Sequence, residues 1–473
     1  MTGPGDSTPY MKGPKPLTVV IKLGTSSIVD EKTHEPLLSI LSLIVETAVK
    51  LRKDGHKVVI VSSGAIGVGL RRMDVEKRPK HLSKLQALAA IGQCRLISLW
   101  DSLFAHLQQP ISQILLTRND IADRSRYLNA QNTIMELLEM GVIPVVNEND
   151  TIAVAEIKFG DNDTLSAITA AMIHADFLFL MTDVDCLYDK NPRTNPDAKA
   201  IEEVEDIGAI QADVSSAGSS LGTGGMGTKI VAARLATSAG VTTIITRSSS
   251  PGNIVKIVRY LQATRVLTLA SSQSQSQSPI TPTPHERNTE TEEPLSRPAE
   301  NLEKPPLHTR FLPLSQPIRD RYFWLLHGLA PHGTVYIDAG AHHALADKAG
   351  LLPVGVLDVE GNFAQQEAVR LVVVDRRRGP PGPDGRLWEG TPVEVGRALV
   401  NYAAPEIARI KGHRSAMIES LLGYADSEYV AHRENVSLFL GRGSRPVSPV
   451  PNAAPASVEG GAELGSGGSS VAG

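Results

Sequence analysis

Thr18-Val19-Val20-Ile21-Lys22-Leu23-Gly24-Thr25-Ser26-Ser27 is a short apolar run that carries one lysine and ends in a turn of small residues. Val, Ile and Leu follow one another there without polar alternation, which is the pattern of a strand covered on both faces. Similar runs return at residues 57–61, 111–116, 142–146, 176–181 and 242–246. Between them lie amphipathic stretches at residues 37–54, 82–107, 130–140 and 225–239. This alternation predicts an α/β fold with a mainly parallel sheet and helices on both faces. Ligands of such sheets bind at the carboxyl ends of the strands. Polar signatures stand there: Gly24-Thr25-Ser26 after the first run, Ser62-Ser63-Gly64 after the second, Asn147-Glu148-Asn149-Asp150 after the fourth and Thr182-Asp183 after the fifth.

A second small-residue loop also carries a lysine: Gly222-Thr223-Gly224-Gly225-Met226-Gly227-Thr228-Lys229. Glycines let backbone N–H groups approach a phosphate, and a lysine places charge where charge builds up during transfer. Two such loops imply a polyphosphate held from two sides. The formal pattern G-x-G-x-x-G at Gly222, Gly224 and Gly227 is not a dinucleotide fingerprint, because residues 215–221 before it read as loop. A P-loop is excluded, since the dipeptide Gly-Lys is absent.

The 473 residues suffice for about two or three domains. Hydrophobic residues make up 41% and charged ones 21%, as in ordinary soluble proteins. A net charge of −4 gives no global pull toward nucleic acid or anionic membrane. The two cysteines, Cys94 and Cys186, show no paired spacing, which fits a reducing compartment and suggests neither a disulfide framework nor a zinc site. Residues 1–16 are expected to be a flexible start without a signal peptide, and no apolar run reaches membrane-spanning length.

Residues 269–306, with a Ser/Gln repeat and then Pro, Thr and Glu, read as a disordered linker that uncouples two folding units. The first unit is residues 17–268. The second, residues 307–436, reads as a small β-rich module with a few short helices, and residues 437–473 as a disordered tail.

Each motif has a plainer reading. Ser62-Ser63-Gly64 resembles a helix cap with a glycine turn, and Thr182-Asp183 a cap. Residues 189–193 read as an exposed Pro turn, and Arg118, Arg124, Arg126 and Asn129 as a solvated face. His56, His81 and His106 lack ligand spacing and read as structural; Arg376-Arg377-Arg378 reads as a solvated loop. Asn147-Glu148-Asn149-Asp150 is matched by Asp161-Asn162-Asp163, and two acidic and amide clusters this close can bind an amino group, order a metal or orient lysines. Their combination with two lysine loops favours function.

Together, Val20-Ile-Lys-Leu-Gly-Thr-Ser26, Ser63-Gly-Ala-Ile66, Leu116-Thr-Arg118, Tyr127-Leu-Asn-Ala130, Val146-Asn-Glu-Asn-Asp150, Ala155-Glu-Ile-Lys158, Gly160-Asp-Asn-Asp163, Leu187-Tyr188 and Leu221-Gly-Thr-Gly-Gly-Met226 resemble the amino acid kinase family. Within it they are most similar to the enzymes that phosphorylate the side-chain carboxylate of glutamate. The resemblance implies a three-layer α/β/α fold. It also implies that Lys22 and Lys229 contact the ATP phosphates and that Asp163 orients both lysines. Ser63, Asp150 and Asn162 would hold L-glutamate. Thr182, Asp183, Thr223, Gly224, Gly225, Met226, Gly227, Thr228 and Lys229 would line the nucleotide site. Mg²⁺ would be bridged by phosphate oxygens, without direct protein ligands. The product would be L-glutamyl 5-phosphate, at the first step of proline synthesis in the cytoplasm. Proline would inhibit, the chain would form a homo-oligomer, and handover to glutamyl phosphate reductase is a further implication.

The second module resembles a PUA domain at Gly333-Thr-Val-Tyr-Ile-Asp-Ala-Gly340, Leu351-Leu-Pro353, Gly361-Asn-Phe363, Gly396-Arg-Ala-Leu-Val-Asn-Tyr402, Ile410-Lys-Gly-His413 and Leu422-Gly-Tyr424. Between Tyr322 and Glu434 stand 11 Lys/Arg against 14 Asp/Glu, so RNA is not an expected partner and a structural or regulatory role is. Two alternatives compete: another substrate on the same fold, or RNA binding by this module. Asp150 argues against a nucleotide monophosphate, which a carboxylate would repel.

Overall fold

β1 (Thr18–Leu23) lies inside an eight-stranded sheet, flanked by β2 (Lys57–Ser62) and β5 (Phe177–Thr182), both parallel to it. The computed structural model describes residues 15–153, 162–210, 225–274, 304–318, 320–377, 379, 386, 388–439 and 445–446. Outward from β2 come β4 (Ile143–Glu148) and β3 (Ile111–Leu116), again parallel. Beyond β5 lies parallel β9 (Thr242–Arg247), then β10 (Thr309–Phe311), antiparallel to it, and finally β8 (Glu203–Val204). A small hairpin, β6 (Leu187–Tyr188) with β7 (Ala200–Ile201), stands beside β5 in the chain.

Two-faced burial is visible residue by residue. Val20, Val59 and Val61 pack into one core with α6 (Arg124–Glu139), α7 (Asn162–Met172) and α8 (Met226–Ser238). Val19, Ile21, Val58 and Ile60 point the other way, into a second core with α2 (Leu38–Lys53), α4 (Leu82–Ala105) and α9 (Asn253–Ser274). The three-layer α/β/α expectation holds. Each wholly buried Val or Ile contributes about 1.5–3 kcal/mol, so the middles of β1 and β2 are apolar on both faces. Short helices α1 (Thr25–Ile28), α3 (Ala65–Arg72) and α5 (Arg118–Ala122) begin where β1, β2 and β3 end. Among the described residues no helix is long and apolar enough to cross a membrane.

The second sheet contains β11 (Gly333–Ile337), β12 (Val356–Gly361), β13 (Ala368–Arg376), β14 (Trp388–Leu399), β15 (Val436–Leu438) and β16 (Arg445–Pro446). It encloses its own core around Val335, Ile337, Leu371, Tyr402 and Ile407.

Four expectations are corrected. Residues 437–438 and 445–446, expected in a disordered tail, belong to β15 and β16 of the second sheet. Thr309–Phe311, expected in the second module, is a strand of the first sheet, where Phe311 is wholly buried. α9 runs to Ser274, past the expected linker start at 269. The two units are not uncoupled, because Phe323, Trp324, Leu325, Leu329, Ala368 and Leu399 belong to the first domain's core. Of the linker, residues 275–303 lie outside the described residues.

Candidate active site

The parallel strands β1, β2, β4 and β5 all end on one edge, and the site is built from the turns and helix starts beyond those ends. Ser63 N donates to Leu23 O at 3.0 Å, tying the turn after β2 to the end of β1. Gly64 adopts a left-handed conformation, φ 103°, where a Cβ would strike Ile28 Cδ1 at 2.8 Å, so glycine is required. This sharp turn presents Ser63 toward α7.

α7 supplies the centre. Asp163, on its first turn, is wholly buried. Its Oδ1 lies 2.5 Å from Lys22 Nζ on β1, and its Oδ2 lies 3.4 Å from Lys229 Nζ on α8. Thr228 Oγ1 donates to the same Oδ2 at 2.7 Å and accepts from Gly225 N at 3.1 Å. Burial alone would raise the Asp163 pKa, but the ammonium groups of Lys22 and Lys229 outweigh it and hold the carboxyl at about 2. For Lys229, burial and the charge of Lys22 push the pKa below the ordinary lysine value, against the pull of Asp163. Lys22 and Lys229 are themselves buried, 4% and 7% exposed. Two cations this dry, sharing one carboxylate, leave net positive charge beside the N-terminus of a helix of 13 residues, an anion-binding environment.

One residue back along α7, the chemistry becomes neutral. Asn162 Nδ2 donates to Ser63 Oγ at 2.7 Å and to Asn147 Oδ1 at 3.0 Å. Asn147, at 2% exposure, donates in turn to Gln93 Oε1 at 2.8 Å. Gln93 reaches this place because α4 runs hard against α3: a Cβ at Gly92 would sit 1.7 Å from Ala65 O. Asp150 stands half-buried in the turn two residues beyond β4. On the other side, Thr182 Oγ1 at the end of β5 donates to Asp183 Oδ1 at 3.1 Å, and Asp183 pairs with Arg193 from the 189–193 turn. Gly225, Met226, Gly227 and Thr228 open α8 beside Lys229. Thr223 and Gly224 lie outside the described residues, as do residues 154–161 and 211–222.

The fold therefore joins Lys22, Lys229, Asp163 and Thr228 in one charged cluster, and Ser63 with Asn162 in a neutral one. The sequence reading missed Gln93 and gave Asn147 no role of its own. The only hint was Gly92, a small residue beside Gln93 where two helices must approach.

A protein of Schizosaccharomyces pombe named probable glutamate 5-kinase is 55% identical, over 89% of this chain and 93% of that one. An uncharacterised protein of Saccharomyces cerevisiae is 48% identical over 89% of this chain and 98% of its own length. A glutamate 5-kinase of Rippkaea orientalis is 42% identical over 89% and 99%. Residues 17–247 match the amino acid kinase family and residues 333–422 a PUA domain. The chain belongs to the amino acid kinase family. It is a kinase of that family carrying a PUA domain after its catalytic α/β domain.

Proposed function

We propose that this kinase transfers the γ-phosphoryl group of ATP to the side-chain carboxylate of L-glutamate, giving L-glutamyl 5-phosphate and ADP at the first step of proline synthesis. The observation that carries the reading is Asp163, wholly buried between Lys22 and Lys229 and adjacent in sequence to Asn162, which bonds to Ser63. One helix turn thus joins a phosphate-ready pair of cations to a polar recess. Relatives named glutamate 5-kinase support the choice of substrate.

The nucleophile is a carboxylate whose ordinary pKa, about 4.3, leaves it ionised at neutral pH. No general base is needed. The carboxylate oxygen attacks the γ-phosphorus, a new O–P bond forms as the bond to the β-phosphate oxygen breaks, and ADP leaves. Bringing two anions into line demands positioning and positive charge. Lys22 and Lys229 offset charge on the moving phosphoryl group, and Asp163 holds their ammonium groups in place. Ser63, Asn162 and Asp150 hold glutamate, Asp150 facing its ammonium group. Thr182, Asp183 and the loop through Thr223, Gly224, Gly225, Met226, Gly227, Thr228 and Lys229 line the nucleotide. Both Asp163 oxygens are engaged by lysines and Thr228. Mg²⁺ would enter with ATP and would offset charge on its phosphates beside Lys22 and Lys229.

Proline inhibits at the glutamate site by using the same carboxylate and ammonium contacts, and Asn149 and Glu156 tune that response. Residues 17–268 together with β10 carry the chemistry, in a cytoplasmic homo-oligomer that hands its labile product to a reductase. Hydroxylamine trapping with ATP, Mg²⁺ and a panel of acidic amino acids tests the substrate. A hydroxamate from glutamate, in preference to the others, is expected; a product only from another acceptor overturns the reading.

A further inference from the structure

Arg118, Arg124 and Arg126 form a basic stretch that reads as solvated in the sequence; Arg126 is exposed as expected, but Arg118 and Arg124 are drawn into a packed contact. α5 has five residues, too few to hold itself as a helix. Its first end is closed by Thr117, whose Oγ1 accepts from Asp120 N while Asp120 Oδ2 accepts from Thr117 N. Its last turn is closed by the other domain: Trp324 Nε1 donates to Ile121 O at 2.9 Å, in a buried contact. The Arg124 guanidinium lies 5.4 Å from the Trp324 ring centroid and 5.4 Å from that of Tyr127. Arg118 Nη2 donates to His327 O at 3.3 Å. Gly328 is fitted to this packing, since a Cβ there would meet Trp324 Cδ1 at 2.7 Å.

From behind, the second domain grips the wide π-helical turn Trp324–Gly328 that carries the tryptophan. Arg397 Nη1 on β14 donates to Leu329 O at 2.7 Å, and Arg321 donates to Glu434 O and Asn435 Oδ1 at 3.1 and 2.5 Å. α5 is in turn fastened to the active-site edge. Leu116, one residue before the cap, pairs with Glu148 and accepts from Asn149 N at 2.9 Å.

We infer that Trp324 is a positioning residue for the glutamate site: held by the second domain, it caps α5 and thereby sets the Asn147–Asp150 turn through the Leu116–Asn149 bond. The inference rests on the assignment of that turn to glutamate. β5 and α8 share the apolar core around Trp324, but the hydrogen-bonded path from Trp324 through α5 and Leu116 leads to the β4 turn.

The test uses the full chain, measuring steady-state KM for glutamate and for ATP in Trp324→Ala and Trp324→Phe. Loss of the capping bond should raise the glutamate KM about three- to tenfold, the worth of one hydrogen bond, while the ATP KM stays within about twofold. Trp324→Phe keeps most of the ring and should show the lower end of that range. Equal shifts in both KM values, or an unchanged glutamate KM, overturn the inference. Should Trp324→Ala fail to fold, Trp324→Phe decides on the same split. A wild-type chain that makes no acyl phosphate from glutamate defeats the substrate assignment instead, so the two failures are distinguishable.

Discussion

Asn162 and Asp163 are neighbours on the first turn of α7, yet they serve opposite kinds of surroundings. Asp163 sits among ammonium groups, in a cluster whose logic is charge balance without water. Asn162 sits among amides and a hydroxyl, in a chain from Ser63 through Asn147 to Gln93 whose logic is hydrogen-bond geometry. A dry lysine pair is strongly attractive to a polyanion because the local dielectric is low. The neutral arm attracts nothing at long range, but it orients what enters. The difference teaches how one helix end can divide two tasks: stabilising charge that develops during transfer, and holding an acceptor that brings its own charges.

The sharpest way to break this division is Lys229→Ala. Loss of one preorganised charge at the transferring group should lower kcat by about 10²–10³-fold, on the order of 3–4 kcal/mol. Asp163 keeps Lys22 as a partner, so the fold should survive. Turnover and thermal melting together check this; a variant within tenfold of the wild-type kcat would remove Lys229 from the chemistry.

A smaller effect belongs to the neutral arm. Asn147→Ala leaves the amides of Gln93 and Asn162 without their shared partner, a cost of about 1–3 kcal/mol. The glutamate KM should rise about tenfold, with the ATP KM little changed and the melting temperature lowered. A rise confined to the ATP KM would show that the two arms do not divide the tasks in this way.

Legibility followed the range over which each interaction acts. β1 was readable because Val19, Val20 and Ile21 are buried on alternate faces, and the run admits no other placement. Lys22, Asp163 and Lys229 were readable because each lies in or beside a loop of distinctive local chemistry. β10 was not: three residues, Thr309-Arg310-Phe311, are too few to display a period, and their partners on β9 stand more than 60 positions earlier. Gln93 was hidden inside the long amphipathic pattern of α4, where nothing local distinguishes it. The basic stretch after β3 misled for the same reason, since the tryptophan that meets Arg124 lies 200 positions away.

The smallest expected effect is a pH dependence that only the charged arm should show. The Asp163 carboxyl has an ordinary value of 3.8; burial would raise it, yet Lys22 and Lys229 together hold it at about 2 in the folded chain. The folded value lies below the unfolded one, so the group contributes stability that is fully present above pH 4 and is lost as the pH falls through about 2. The contribution is on the order of 2 kcal/mol. Other carboxylates also titrate in this window, so the informative quantity is the difference between chains. Melting temperatures between pH 5 and pH 2 should fall less steeply for Asp163→Asn than for wild type, whatever the level at which the variant starts. Asn147→Ala, which removes no titrating group, should keep the wild-type slope. Identical slopes in all three chains would mean that the ion pairs of Asp163 are no stronger than a solvated carboxylate's, and the contrast between the two arms would collapse.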